Sequence, residues 1–397
     1  MPPYLPEHDP EFLADPYPHY ELIRSEGPAV WDGGRAVWLV TPQRVTAKLL
    51  ATKQCGKDPR YGEASHTDSE SPLLRLKSLW ILLRDGTYHR RLRDIMTSSL
   101  SRKGVLALRK AVQDRTRELT ADLAPGAPFD AARELAPGLP FDVVVRLLGL
   151  KDHPQGPLRE WSRALFATLE PGMDRPTWER GEEAAEKLSA LLTALLTSKN
   201  GTAASEALLL HDVREAYCAG YITLEEGVSS LSLMFIAGHE TTAQMIGNVI
   251  NALAVNQADL AETDGALSAN PAAVNEFWRY DGAVQNTMRL ARKELDVGGR
   301  RIAEGDRILF LLGAANRDPT FHQDPGRLDL ARNTTTHLGF GGGPHYCLGA
   351  ALAQLEITEV VHRLARIGTR VEIAGKCDWN PSITFRGPLS LPVVVSG

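Results

Sequence analysis

The stretch of sequence that decides the fold is HLGFGGGPHYCLGAALAQLE, residues 337–356, where a glycine-rich loop leads through Cys347 into residues with helical spacing. Glycine lets the backbone turn tightly and approach a flat molecule. Amide groups near the start of the helix can donate to a sulfur and stabilise its anionic form. The stretch therefore predicts a thiolate that can bind iron, whereas most lone cysteines in such turns are small buried hydrophobes.

The composition of the chain is that of a globular protein. Of its 397 residues, 43% are hydrophobic and 23% are charged, which is enough apolar material for a large core. The net charge of −5 argues against nucleic acid as a partner. The four cysteines are scattered, without a C-x-x-C pair or the spacing of a zinc site, which is typical of a protein from a reducing compartment.

Signals for export and membrane insertion are weak. The opening segment, MPPYLPEHDPEFLADPYPHY, has neither the basic start nor the apolar run of a secretory signal. The most apolar helical run, Leu231 to Ala237, is much shorter than a bilayer is thick. We therefore expect a cytoplasmic location and no membrane partner.

The hydrophobic spacing predicts a mainly α-helical protein with small β-sheets. Residues 29–40 contain a D-G-G turn between two apolar runs and predict a β-hairpin, after which Thr41 could cap a helix. Residues 294–312 predict a second β-rich region. Residues 55–80 and 169–175 have weaker periodicity and are predicted to be loops that cover a cavity.

A long helix is predicted from a capping box, in which Thr223 precedes Glu226 by three residues. Its helical pattern extends to about Asn256. Within it, the hexamer AGHETT, residues 237–242, places two small residues before an acid and two hydroxyls. The missing side chain at Gly238 would let a flat ring approach, although a threonine bonded within the helix and a solvated glutamate explain the hexamer equally well.

The spacing F-x-x-G-x-x-x-C-x-G, met by Phe340, Gly343, Cys347 and Gly349, resembles the ligand loop of the cytochrome P450 family. The resemblance extends over almost the whole chain and is to the soluble bacterial class. It implies a triangular prism of helices with a long central helix, forming a single domain over residues 1–397. It also implies haem b as the cofactor, with Cys347 as the iron ligand whose electron donation favours O–O cleavage.

The same resemblance assigns roles to further residues. The hexamer resembles the oxygen-activation motif of the family, which implies that Glu240 and Thr241 deliver protons. The buried haem propionates require cationic or imidazole donors, and the segments that resemble H-x-x-x-R and R-x-A supply them, with Arg292 as a competitor of Arg289. The residues implied to hold the haem are His89, Arg93, Ala237, Gly238, Arg289, Phe340, Gly341, His345, Cys347 and Gly349.

Glu276 and Arg279 lie three residues apart, where opposite charges on a helix can pair. The spacing is common, but its position before the cysteine loop resembles the structural E-x-x-R pair of the family. Arg327 or Arg332 could complete that network. Gln354 departs from the family pattern, because a basic residue is frequent there, and this could alter the docking of a redox partner.

The resemblance implies a monooxygenase that oxidises a small organic substrate with O2, and a secondary metabolite is the expected substrate class. No flavin or nicotinamide site is visible in the sequence, so the electrons must come from another protein. The resemblance implies a ferredoxin and a ferredoxin reductase as donors, with Arg90 and Arg91 near the docking surface. Two alternatives stay open, a peroxide-driven haem-thiolate enzyme and a haem sensor without catalysis. The expected substrate-lining regions are residues 55–84, 169–173, 233–237 and 283–287 and the tail near Phe385.

Overall fold

The computed structural model describes residues 4–57, 70–170, 173–198, 208–332 and 336–397. Within them the protein is mainly α-helical with small β-sheets, which confirms the predicted class. The α-helices are α1 Pro10–Ala14, α2 Tyr17–Glu26, α3 Gln43–Ala51, α4 Pro72–Ser78, α5 Gly86–Thr97, α6 Arg102–Leu119, α7 Gly138–Leu147, α8 Gln155–Ala167, α9 Arg175–Thr197, α10 Leu208–Cys218, α11 Leu224–Val255, α12 Leu260–Ala269, α13 Asn275–Asp281, α14 Leu312–Asn316 and α15 Ala350–Leu364.

The β-strands in the described residues form four small sheets. They are β1 Ala29–Asp32, β2 Val37–Val40, β3 Cys55–Gly56, β4 Pro128–Asp130, β5 Asn286–Ala291, β6 Leu295–Val297, β7 Arg300–Ile302, β8 Arg307–Leu311, β9 Arg370–Ile373, β10 Asp378–Trp379, β11 Pro388–Ser390 and β12 Pro392–Ser396. The largest sheet has the order β1-β2-β8-β5-β3, and the sheet of β4, β12 and β9 is antiparallel.

Two compact units share the chain. The first unit comprises Met1–Gly56, Val112–Leu139 and Thr241–Gly397, and the second comprises Lys57–Ala111 and Pro140–Glu240. The divisions fall inside helices α6, α7 and α11. A single domain over residues 1–397 stays a prediction.

The predicted hairpin at residues 29–40 is confirmed. β1 and β2 pair antiparallel from Ala29 opposite Val40 to Asp32 opposite Val37, and the Asp32 carboxylate accepts the amide of Gly34 at 3.0 Å. The expectation that Thr41 caps the next helix is wrong. Helix α3 begins at Gln43, whose amide donates to the Asp318 carboxylate at 3.0 Å, so the cap comes from a distant residue.

The long helix is confirmed almost to the residue. α11 has 32 residues, about 48 Å of helix rise. Its capping box is formed as predicted: the Thr223 amide donates to Glu226 Oε2 at 3.0 Å, and the Glu226 amide donates to Thr223 Oγ1 at 3.2 Å. No helix among the described residues is long and apolar enough to cross a bilayer.

The prediction that residues 55–80 form a loop is wrong in part. Pro72–Ser78 is helix α4, which Ser71 caps by accepting the amide of Leu74 at 3.0 Å. Leu73 and Leu76 bury its apolar side. Residues 58–69 lie outside the described residues, as do residues 171 and 172 of the second expected loop.

Candidate active site

The cysteine loop is ordered by its backbone. The Cys347 amide donates to the Phe340 carbonyl at 2.9 Å, and the Gly341 amide donates to the Leu338 carbonyl at 2.8 Å. Gly341 and Gly343 have φ angles of +71° and +64°, which only glycine adopts readily. A β-carbon at Gly343 would also lie 2.1 Å from the Leu50 carbonyl oxygen, so this glycine cannot be replaced without moving backbone. The turn that presents the cysteine therefore depends on glycine.

Aromatic packing anchors the loop in the first unit. The Phe340 ring is buried and lies 4.7 Å from the Trp278 ring and 5.4 Å from the His337 ring, measured between centroids. Gly339 is needed beside this cluster because an added β-carbon would lie 2.8 Å from Trp278 Cβ. Phe340 thus fixes the start of the loop from which Cys347 projects.

The donor set around Cys347 suits a haem. The Cys347 side chain is exposed and lies two residues before Gly349, the N-cap of helix α15. An added β-carbon at Gly349 would meet nothing within 4 Å. An exposed thiol near the start of a helix can take the anionic form that binds iron. In the same unit, Arg289 on β5 and His345 in the loop are residue types that can pair with propionates.

Arg289 is held rigidly. Its side chain is buried, and its Nη1 donates to Thr287 Oγ1 and to the Met288 carbonyl, each at 2.8 Å. The neighbouring candidate, Arg292, packs its guanidinium where a β-carbon of Gly56 would stand. Both arginines therefore have defined positions at this end of the sheet.

Glu276 and Arg279 form a fully buried ion pair. Arg279 Nε and Nη2 each donate to a different Glu276 carboxylate oxygen at 2.7 Å. The remaining donors of Arg279 reach the carbonyls of Asn316, Pro325 and Arg327 at 3.2, 2.7 and 2.9 Å. All donor nitrogens of the arginine are engaged, as a buried guanidinium requires.

Arg332, and not the side chain of Arg327, completes this network. Arg332 Nε donates to Glu276 Oε1 at 3.3 Å, while Arg327 contributes only its carbonyl. The sequence alone did not indicate which of the two arginines completes the network. The structure decides between them because the Arg332 side chain contacts Glu276, whereas the Arg327 side chain is exposed.

In the second unit, Glu240 of the AGHETT hexamer contacts the neighbouring His239, which in turn contacts Ser162 and Phe235. His239 Nε2 lies 3.4 Å from Glu240 Oε1 and 3.0 Å from Ser162 Oγ, and His239 Nδ1 lies 2.6 Å from the Phe235 carbonyl. Burial alone would raise the pKa of Glu240, but hydrogen bonding and charge from His239, with help from Arg163, lower that pKa overall. Glu240 is therefore ionised at neutral pH and must take up a proton before it can donate one.

Helix packing also favours glycine at position 238. A β-carbon there would lie 3.1 Å from Val144 Cγ2 on helix α7, tighter than ordinary contact. The absence of a side chain thus also permits α11 to pack closely against α7. Ala237, the residue before it, is partly exposed.

His89 and Arg93 lie one turn apart on helix α5, also in the second unit. His89 is buried, and its pKa is lowered by burial and by the charge of Arg93. The neighbouring Arg91 forms an ion pair, in which its Nη2 lies 2.5 Å from Glu226 Oε1. Arg90 is exposed.

Sequence reasoning missed His239 and Ser162. The motif treats the position of His239 as variable, and Ser162 lies 77 residues earlier on helix α8 without any local signal. Nothing short of the folded structure brings Ser162 to the hexamer.

A cleft of about 340 Å³ lies within the second unit, between α4, α9 and the start of α11. It is within the size range of small-molecule sites. Its α4 wall falls in the region expected to line a substrate. In the first unit, Val284 forms a β-bridge with Phe385, which brings two other expected lining segments together. The cleft is lined by Pro72, Arg75, Leu76, Ser78, Leu79, Glu186, Ser189, Thr193, Leu224, Glu225 and Val228.

Comparison with known proteins gives consistent matches. The family model of cytochrome P450 matches residues 266–366. The chain is 32% identical to cytochrome P450 monooxygenase PikC of Streptomyces venezuelae, with 96% of this chain and 92% of the relative covered. The solved structure of P450BioI, in complex with an acyl carrier protein ligated to hexadec-9Z-enoic acid, has a TM-score of 0.87 at 25% identity, covering 97% of this chain and 100% of that one. The tirandamycin C-bound P450 monooxygenase TamI has a TM-score of 0.82 at 29% identity, covering 98% and 99%.

This fold and these relatives are those of haem-dependent oxygenases. The chain belongs to the cytochrome P450 family. It is accordingly a monooxygenase, an oxidoreductase whose cofactor is haem b and which uses O2 and an organic substrate.

Proposed function

We propose that Cys347 is the haem ligand of this monooxygenase and that the chain works as one haem-binding domain on a small secondary metabolite. The observation that carries the proposal is the exposed Cys347 side chain just before α15, in a loop closed by the hydrogen bond from the Cys347 amide to the Phe340 carbonyl. Bound haem would supply the iron at which O2 is activated. The chain supplies the sulfur, the shape of the loop and the groups that move protons.

The Cys347→His variant tests the ligand. The ferrous carbon monoxide complex of the wild type should show the thiolate-type absorbance band, and the variant should lose it while still binding haem. Survival of the band in the variant would show that another residue ligates the iron.

We assign the haem contacts on both faces and at the propionates. Phe340, Gly341 and Gly349 give the ring room on the cysteine side, and Ala237 and Gly238 do so on the oxygen side. The groups assigned to the propionates are His89, Arg93, Arg289 and His345. Arg289→Leu should weaken haem retention, which dialysis against a haem acceptor measures, and equal retention would remove this role from Arg289.

Glu240 and Thr241 are proposed to move protons. Because Glu240 is ionised in its contact with His239, it would take a proton from solvent and pass it toward Thr241, then return to the carboxylate. Thr241→Ala should therefore uncouple electron consumption from product. Unchanged coupling would remove this role and leave haem binding intact.

The electron donors are proposed to be a ferredoxin and its reductase in the cytoplasm. Arg90→Glu is the cleaner test of docking near α5, because reversing Arg91 would also break its ion pair with Glu226. Slower reduction by ferredoxin is expected, whereas hydrogen peroxide turnover should not change. Turnover that is faster with peroxide than with the ferredoxin system would favour the peroxide-driven alternative.

Two related proteins were solved with different kinds of molecule bound. TamI was solved with tirandamycin C bound, and P450BioI with an acyl chain on a carrier protein. We propose a free small molecule for this chain. Screening free compounds and carrier-bound acyl chains for the haem absorbance shift on substrate binding would separate the two, and a shift with carrier-bound acyl chains alone would refute the proposal.

A further inference from the structure

A single amide oxygen joins both ends of the cysteine loop. Asn275 Oδ1, at the start of α13, accepts a hydrogen bond from Gln354 Nε2 on α15 at 2.6 Å. The same oxygen lies 3.2 Å from His337 Nε2, in the segment that enters the loop. One acceptor thus holds groups that precede and follow Cys347 in the chain.

The direction of each hydrogen bond in this cluster is determined. The Gly339 amide donates to His337 Nδ1 at 3.2 Å, so Nδ1 carries no hydrogen. The proton of the neutral ring is then on Nε2 and is donated to Asn275. His337 is buried, and burial lowers its pKa to about 4, which keeps this neutral form at physiological pH. The Asn275 side-chain oxygen accepts from both Gln354 and His337, so its amide oxygen and nitrogen cannot exchange places.

Along the chain, His337 and Gln354 flank the residues that shape the loop. Between His337 and Gln354 lie Phe340, whose carbonyl accepts the Cys347 amide, and the cysteine itself. The His337 ring also packs against the Phe340 ring. A change in the cluster is therefore transmitted to the residue that fixes the Cys347 amide.

We propose that Gln354, Asn275 and His337 are positioning residues that hold the Cys347 loop in its iron-binding geometry. The inference rests on the proposed role of Cys347. It also gives Gln354 a task other than redox docking. What position 354 must supply is a hydrogen-bond donor, and a lysine could supply it equally well.

The test compares three variants of the haem-loaded protein. Gln354→Leu removes the donor, and Gln354→Lys restores one. Gln113→Leu is the matched control. Gln113 Nε2, on α6, donates to Glu359 Oε1 at 3.0 Å, and Glu359 lies on the same helix as Gln354 but further from the loop. Two quantities are measured, the hydrogen exchange rate of the Gly339 amide and the rate at which the ferrous carbon monoxide complex loses its thiolate-type band.

Loss of one such hydrogen bond corresponds to about a fivefold change in a local equilibrium. Gln354→Leu should therefore speed both processes about fivefold, while Gln354→Lys and Gln113→Leu should stay near the wild type. Equal rates in Gln354→Leu and Gln113→Leu, or no rescue by lysine, would overturn the positioning role. A thiolate band that survives in Cys347→His would instead overturn the ligand assignment on which it rests.

Discussion

Replacing Arg332 by alanine probes the charge network around Glu276. The Arg332 guanidinium donates to Glu276 and to the carbonyls of Gln323 and Asp324, at 3.3, 2.6 and 3.2 Å. The Glu276 carboxylate is fully buried, so the lost donor is not replaced by bulk water. In the variant, Arg279 still compensates most of the negative charge of Glu276. Allowing about 1.5 kcal/mol for the hydrogen bond to Glu276, and about half as much for each of the two exposed carbonyl contacts, we expect the free energy of unfolding to fall by about 3 kcal/mol.

Arg327→Ala is the control, because only the backbone carbonyl of Arg327 enters the network. Its unfolding free energy should stay within about 0.5 kcal/mol of the wild type. For a chain of 397 residues the unfolding entropy is about 0.8 kcal/mol/K, so the loss in Arg332→Ala corresponds to a fall of about 4 °C in Tm. Calorimetry of both haem-loaded variants measures the difference. Equal Tm values, or a larger fall for Arg327→Ala, would refute the assignment of Arg332.

Two further predictions concern pH. Burial raises the pKa of Glu356 well above its ordinary value of 4.5, and neither of its oxygens has a hydrogen-bond partner among the described residues. The folded protein then holds a proton that the unfolded chain releases, so this residue should make the unfolding free energy fall by up to about 1.4 kcal/mol per pH unit above pH 4.5. Glu356→Gln should remove that slope in urea titrations between pH 5 and about 8, and identical slopes would count against it. The pKa of His337 is lowered from 6.5 to about 4, so its contribution to stability is complete above pH 6.5 and is lost as the pH falls toward 4. Over this range the wild type should lose about 3 kcal/mol more than His337→Gln, as urea unfolding at both ends of that range would show.

Features encoded by neighbouring residues could be predicted from the sequence. The capping box of Thr223 and Glu226 is complete within four residues, and it located the start of α11 correctly. The hairpin at residues 29–40 was found for the same reason, since its turn and both strands are contiguous. The order of glycines around Cys347 likewise indicated a tight loop, and the positive φ angles at Gly341 and Gly343 are its structural counterpart.

Features that depend on tertiary contacts could not be predicted. Arg327 and Arg332 lie in an irregular segment, where no periodicity indicates which side chain turns inward. The cap of α3 comes from Asp318, 275 residues after Gln43, so the nearby Thr41 was the wrong choice. The Ser162 contact with His239 is of the same kind. Each joins polar atoms that become neighbours only when the helices and strands have packed.

The Arg279 contacts also bear on how the sequence of this region can change over time. Arg279 binds the carbonyl groups of Asn316, Pro325 and Arg327, and a carbonyl is the same in every residue. Apart from Asn316 and Asp318, whose side chains have partners of their own, residues 316–327 can therefore exchange many side chains during evolution without losing this anchor. An inserted or deleted residue would instead move a carbonyl out of reach. Between these contact points, descendants of this chain should differ in composition far more readily than in length.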